Sequence, residues 1–564
     1  MATTQEWQLY LQRQMEKTTV IQRRRLRSGY ELRLSNQGLK QPNEIALFRN
    51  KQKIKTLFTT NDLEDPNTSN FIEFYVSPKD RYVIVPASNK GSIDAADLYI
   101  VDIEEAKVVQ KIFSVTTYGV VWVSPNEFIV NHVQGRDSVP VKHRVDDARL
   151  MAFVEEDLNN SPSGRFVTKR TNGGVAIRSV SDDRWLEIKG FIGRIVVESK
   201  NAMFAKSYKK GEEKLIRFEW SFSPSHMLQL KSKKDLTPKR KAEFLKGFTS
   251  RNFAALVYMW GQERWVEVIN AQGTKVAEIP LSSEIRIKSF KVINRDIISF
   301  KMSSPIIKSQ RIDFNLKSKS FVRSNLVEFM MTDKKGIRYK SEYLEAKSAD
   351  GTTIPIRIVY RADLILDGSN PLLVEGYGGF SLVNSFLPRF SVLTKKFLED
   401  GGIYAGPALR GGSEFGDDWH SAGKYFNKQN VFDDMIASIE FLHTKKFSSP
   451  EKTAIMGWSN GGLLIGSVLT QRPDLLKLAI PGNGVLDMLR KDILDYQFGL
   501  GWSFEYGGTS NAESFQNLQS YSPLVLAEQP QKYPTTLVVS GRYDSRVNPA
   551  HSYKFVSSLQ NSQQ

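Results

Sequence analysis

No stretch of this chain constrains it more than Met456-Gly457-Trp458-Ser459-Asn460-Gly461-Gly462. It fits Gly-x-Ser-x-Gly, with a strand-like run, Lys452 to Met456, before it and a helix-like run, Leu463 to Thr470, after it. A strand that turns sharply into a helix needs residues without side chains at the corner, and the turn leaves the serine hydroxyl exposed. That is the geometry of a nucleophile elbow. The helix also presents free backbone N–H groups toward developing negative charge. A glycine-rich turn with an incidental serine shares the bare pattern, but the flanking strand and helix favour the elbow.

At 564 residues the chain exceeds one ordinary core, so two or more domains are expected. Its 40% apolar content suffices for globular folding, and no apolar run reaches the ~18 residues that span a bilayer. The first residues, MATTQEWQLYLQRQ, lack the basic-then-apolar order of a signal peptide, so a cytoplasmic location is expected. The lack of cysteine excludes disulfides, thiolate metal sites and a cysteine nucleophile. The net charge of +17 is spread along the chain among 61 acidic residues. Its densest run, Lys231 to Lys241, is broken by Pro238, has no interleaved aromatics and reads as a solvated loop. Neither nucleic acid nor a membrane is expected as a partner.

Residues 1–30 read as a helical arm. Thr3 and Glu6 resemble a capping box, and Trp7, Tyr10, Leu11 and Met15 share one helical face. Residues 31–338 are β-rich, with runs such as Tyr82 to Val85, Gly119 to Val123 and Phe253 to Tyr258. Turns at Ser77-Pro, Ser124-Pro and Ser161-Pro recur at intervals near the ~40–50-residue period of propeller blades, and the region would hold about seven. A sandwich array or two β-domains are the alternatives. From 339 to 564, strand-like runs (Ile354 to Tyr360, Pro371 to Gly376, Thr536 to Ser540) alternate with helical ones, which indicates a mostly parallel α/β sheet. Ser459 and Asp544 both follow strand-like runs, where catalytic groups of such sheets gather.

An activated serine needs a base, an orienting acid and oxyanion donors. Asp544 is the best-placed acid, its alternative being a turn aspartate that caps backbone N–H groups. Of the six histidines, His132, His143, His226, His420, His443 and His551, only His551 follows Asp544. It sits where a helix starts and reads as a packing residue.

Residues 340–564 resemble the peptidase domain of the prolyl oligopeptidase family. The likeness rests on Glu375-Gly-Tyr-Gly-Gly-Phe380, Leu409-Arg-Gly-Gly-Ser-Glu-Phe-Gly416, Asn427-Lys-Gln-Asn-Val-Phe-Asp-Asp434, Gly457-Trp-Ser-Asn-Gly-Gly-Leu463, Gln471-Arg-Pro-Asp474 and the segment Asp544 to Ser552. It implies an α/β-hydrolase catalytic domain plus an all-β, seven-bladed propeller that admits only short peptides. By position, it makes Ser459 the nucleophile, Asp544 the orienting acid, and Tyr377 (hydroxyl) and Asn460 (backbone N–H) the oxyanion donors. Trp502 would stack on a substrate proline ring. Phe380, Tyr506, Val485 and Val547 would line that pocket, and Arg546 would bind a peptide carbonyl. Arg410 and His420 lie in matching stretches and read as structural. The implied activity is hydrolysis of short proline-containing peptides by a monomer that needs no cofactor or metal.

Three departures stand out. Trp458 replaces the family's usual glycine. The segment before Trp502 is about two residues longer than the resemblance requires. The family's catalytic histidine falls beyond Gln564, so this chain alone is expected to be nearly inactive. An esterase, an oligopeptidase with another residue preference, and a protein that binds without turnover are the alternatives.

Overall fold

The computed structural model describes residues 19–562 apart from 37–41, 65–70, 72, 89–94, 117–119, 135–136, 146, 154–157, 161–165, 172–173, 180–185, 190–192, 199–201, 210–211, 223–227, 251–252, 271, 384–390, 496–501, 543 and 545. The chain forms two compact units, residues 2–237 with 542–546 and residues 238–541 with 547–564.

In the first unit every described sheet is an antiparallel meander. Four-stranded sheets cover 19–59, 158–189 and 193–235, and an eight-stranded one covers 75–153. The eight strands are two consecutive groups joined by one pair, His132 opposite Val115. The second unit begins with two more four-stranded meanders, at 243–280 and 286–321. Taken in chain order, the described strands before Tyr339 thus fall into seven groups of four. Burial explains the texture. The inner strand Phe253–Trp260 is buried along most of its length, whereas the outer strand Lys275–Pro280 alternates between buried and exposed.

Two expectations require correction. The arm's predicted helical face lies outside the described residues, but Thr19–Arg25 is a strand paired with Glu31–Asn36, so the helix does not extend to residue 30. Its β-branched start, Thr19-Val-Ile, suits a pleated edge. The basic run is not wholly a loop either. Leu228–Asp235 is an edge strand whose charged residues at 233–235 face solvent, as is common on sheet edges. Beyond it, the Arg240 guanidinium lies 3.7 Å from the Trp265 ring centroid and the Lys241 ammonium 5.4 Å from that of Trp260.

The rest of the second unit is built on a seven-stranded sheet. Its strands are β1 (Tyr339–Lys347), β2 (Thr353–Arg361), β3 (Leu372–Glu375), β4 (Ile403–Pro407), β5 (Thr453–Trp458), β6 (Leu478–Gly482) and β7 (Thr535–Thr536), in the order β1-β2-β4-β3-β5-β6-β7. The first two pairings are antiparallel and the other four parallel. The longer helices are α1 (Val392–Glu399), α2 (Gln429–Thr444), α3 (Asn460–Gln471), α4 (Ala512–Tyr521) and α5 (Ala550–Ser562). Helix α2 buries Val431, Phe432, Met435, Ile439 and Leu442 at helical spacing. Helix α3 is buried on nearly every side and packs on β5 and β6. Each of its Leu463, Leu464, Ile465, Val468 and Leu469 is fully buried, worth about 1.5–3 kcal/mol apiece as an upper estimate. The strand expected over Thr536 to Ser540 is shorter, but Leu537 N–H and Val539 N–H still donate to the Ala479 and Pro481 carbonyls.

Candidate active site

One residue separates β5 from α3. Ser459 sits at φ 59°, ψ −118°, a backbone region that disfavours side chains. Its N–H donates to the Gly482 carbonyl at 2.9 Å, and its carbonyl accepts from Leu463 N–H at 3.1 Å. The elbow packs this tightly because Gly457, Gly461 and Gly462 around it lack side chains. A Cβ on Gly462 would lie 2.5 Å from Gly484 Cα and 2.6 Å from the Gly482 carbonyl oxygen, and backbone cannot yield. Gly462→Ala is therefore expected to cost about 1–3 kcal/mol. An unchanged urea midpoint would show that α3 does not press on the β6 loop. Trp458, 44% exposed, lays its ring against Gly482 Cα.

Asn460 is buried and ties the elbow to two other elements. Its Nδ2 donates to the Tyr377 carbonyl at 2.5 Å, and its Oδ1 accepts from the Tyr506 hydroxyl at 3.0 Å. Tyr377 lies on the loop after β3. There Gly378, Phe380 and Ser381 all have positive φ, at 59°, 56° and 54°.

The structure assembles the predicted aromatic wall. Phe380 meets Tyr506 edge-on at 5.7 Å, and Trp502 meets Tyr506 edge-on at 6.4 Å. Phe504, which sequence reasoning missed, packs edge-on to Phe380 at 5.8 Å. Val485 and Val547 are buried in the hydrophobic cluster against which Phe380 and Trp502 pack. Burial first, then the neighbouring Tyr377 and Glu505, push the Tyr506 phenol well above its usual range, so it stays a neutral donor. A separate cleft of ≈ 840 Å³, bounded by Trp260, Tyr343, Phe415 and Trp419, contains none of these residues.

Asp544 and Arg546 group with the first unit and Ser459 with the second. Arg546 N–H donates to Asp544 Oδ1 at 3.0 Å, the contact of a turn aspartate. His551 lies in the first turn of α5, fully buried. Its Nδ1 accepts from Asp487 N–H at 3.0 Å, so the proton sits on Nε2, which faces Asp495 Oδ2 at 2.9 Å. The other described histidines also have partners. His132 pairs with His143, His420 with Glu505 and His443 with Thr453.

Residues 388–564 match the model of the prolyl oligopeptidase family. The match covers the C-terminal part of the chain, about a third of its length. The prolyl endopeptidase of Elizabethkingia meningoseptica is 47% identical over 223 residues, 39% of this chain and 31% of that protein. The prolyl endopeptidase of Dictyostelium discoideum is 40% identical over 231 residues, 39% of this chain and 30% of that protein. The matched part thus spans about a third of the length of these relatives. Among solved structures, a prolyl endopeptidase superposes with a TM-score of 0.77 at 23% identity, covering 99% of this chain and 85% of its own. Prolyl oligopeptidase B of Galerina marginata, bound to a 35-residue hydrolysis and macrocyclization substrate, gives 0.76 at 19%, covering 99% and 85%. The fold is an α/β-hydrolase domain with a β-propeller.

Two buried ionic groups brace the C-terminal part of the second unit. Arg410, on the loop after β4, donates from Nε and Nη2 to the fully buried Asp434 of α2, and its backbone N–H donates there too at 3.0 Å. Lys428, at the start of α2, donates to the Gly378 carbonyl and to Glu505 Oε1, each at 3.0 Å, while His420 Nε2 meets Glu505 Oε2 at 2.8 Å. Burial alone would raise the Glu505 carboxyl, but the His420 hydrogen bond and the Lys428 charge hold it below the ordinary carboxylate value. Sequence reasoning assigned His420 a structural role and passed over its two partners.

Proposed function

We propose that the whole protein is a serine-type oligopeptidase that accepts short peptides and is acylated at Ser459 on the carboxyl side of proline. The observation that carries this is Asn460. The residue after the nucleophile holds both the loop of Tyr377 and the pocket wall at Tyr506, so the attacking oxygen, the oxyanion donors and the proline pocket share one anchor. Ser459 Oγ attacks the proline carbonyl carbon. The negative charge on the former carbonyl oxygen is met by the Tyr377 hydroxyl and the Asn460 N–H. The serine proton passes to the histidine base that the family resemblance places beyond Gln564 and from it to the amine as the C–N bond breaks, and water then hydrolyses the acyl ester. Trp502 stacks on the pyrrolidine ring, with Phe380, Tyr506, Val485 and Val547 around it. Asp544 orients the base and Arg546 binds a peptide carbonyl.

A peptidyl-pyrrolidide, which fills the proline pocket and cannot react, tests the specificity. Calorimetry is expected to show binding that weakens about tenfold in Trp502→Ala, or about 1.4 kcal/mol. Equal affinity for an arginine-derived analogue would reject the proline preference. The partnered histidines favour a second reading, peptide binding without turnover. With the whole protein, in which the base is expected, a chromogenic Gly-Pro amide separates the two, because release of chromophore requires acylation and a binder releases none.

A further inference from the structure

The loop carrying Tyr377 is strained. Two of its non-glycine residues, Phe380 and Ser381, have positive φ, and the Cβ position of Gly378 is occupied by Val431 Cγ1, so only glycine fits there. Such a conformation persists only where its surroundings over-determine it. Three side chains grip its carbonyls: Asn460 on Tyr377, Lys428 on Gly378, and Ser413, whose hydroxyl donates to Ser381 O at 2.8 Å. Lys428 is the unusual one. Its ammonium is almost wholly buried, 5.3 Å from the Tyr506 ring centroid, with Glu505 as counter-ion. Burying an ammonium and a carboxylate costs several kcal/mol per ion, and apolar replacements of equal volume are often no less stable. Stability therefore does not explain the pair. Its place does, because Glu505 is adjacent to Tyr506 on one short helical turn, Ser503–Tyr506.

We propose that Lys428 and Glu505 are a positioning pair that holds the Tyr377 loop and the Tyr506 wall in register, so that oxyanion donors and pocket face the same substrate. Neither group touches substrate. Lys428 acts through the Gly378 carbonyl and Glu505 through its helical turn and Lys428. The proposal rests on the active-site reading above.

Two ligands separate the functions. A peptidyl-pyrrolidide reads the pocket. The matching peptidyl-boroproline also forms a B–O bond to Ser459, whose proton passes to solvent, and the resulting tetrahedral anion reads the oxyanion donors. The double variant K428M/E505Q removes both charges and leaves neither ion unpaired, keeps an amide at 505 facing His420, and takes the Lys428 donor from the Gly378 carbonyl. It is expected to weaken boronate binding at least tenfold while pyrrolidide affinity changes less than twofold. Equal losses for both ligands, or no loss for either, would overturn the pairing. A wild-type chain that binds neither ligand would instead sink the active-site reading, and this proposal with it. Melting temperature is the control, because a merely structural pair would lower stability without splitting the two affinities.

Discussion

Ser459→Gly is expected to abolish the boronate adduct and to make the protein more stable. Without Oγ there is nothing to bond boron, so the boroproline should bind no tighter than the pyrrolidide. The stability gain comes from the backbone. At φ 59°, ψ −118° a Cβ is in steric conflict, and such strain costs on the order of 1–3 kcal/mol. Glycine relieves it at an unfolded-state entropy cost of about 0.5–1 kcal/mol, leaving a net gain of about 1 kcal/mol. Ser459→Ala should lose the adduct equally but keep the strain, so Gly minus Ala isolates the backbone term. Urea unfolding of the three proteins measures it. A glycine variant no more stable than alanine would show that the elbow stores no strain.

The second large effect is structural. Asp434→Ala is expected to cost about 3–5 kcal/mol, because it strands a buried guanidinium. Asp434 accepts from Arg410 and, at 2.7 Å, from the Ser348 hydroxyl. Without it Arg410 keeps one carboxylate, the exposed Asp350, and the hydroxyls of Ser348 and Thr352. Arg410→Met combined with Asp434→Leu removes both charges and should recover most of the loss. If the single variant is as stable as wild type, water reaches the site and the pair is not truly buried. The damage should also reach the active site. Gly411, next to Arg410, accepts from Ser381 N–H, so the Tyr377 loop leans on this corner.

The sequence showed the elbow because strand, turn and helix are local patterns. It showed the change from meanders to α/β texture near Tyr339 for the same reason. It did not show that the compact units divide near residue 238, since the meanders on either side have the same local texture. Nor could it show that the pair Lys428 and Glu505 meets. They lie 77 residues apart and no periodicity links them. The one available signal was a charged residue inside each of two otherwise recognisable motifs. The aromatic wall was legible through resemblance to a family, except Phe504, whose ring is held by tertiary packing alone. The N-terminal strand was missed because a helical face around Trp7 and Tyr10 was extended past the point where β-branched residues take over.

The indole of Trp458 lies where a side chain on residue 482 would have to go. The two positions are therefore linked in the order in which they can change. A mutation that adds even a methyl group at 482 must displace the half-exposed indole, whereas shrinking Trp458 first would remove that cost. Larger residues at 482 are therefore expected to be tolerated best beside a smaller residue at 458.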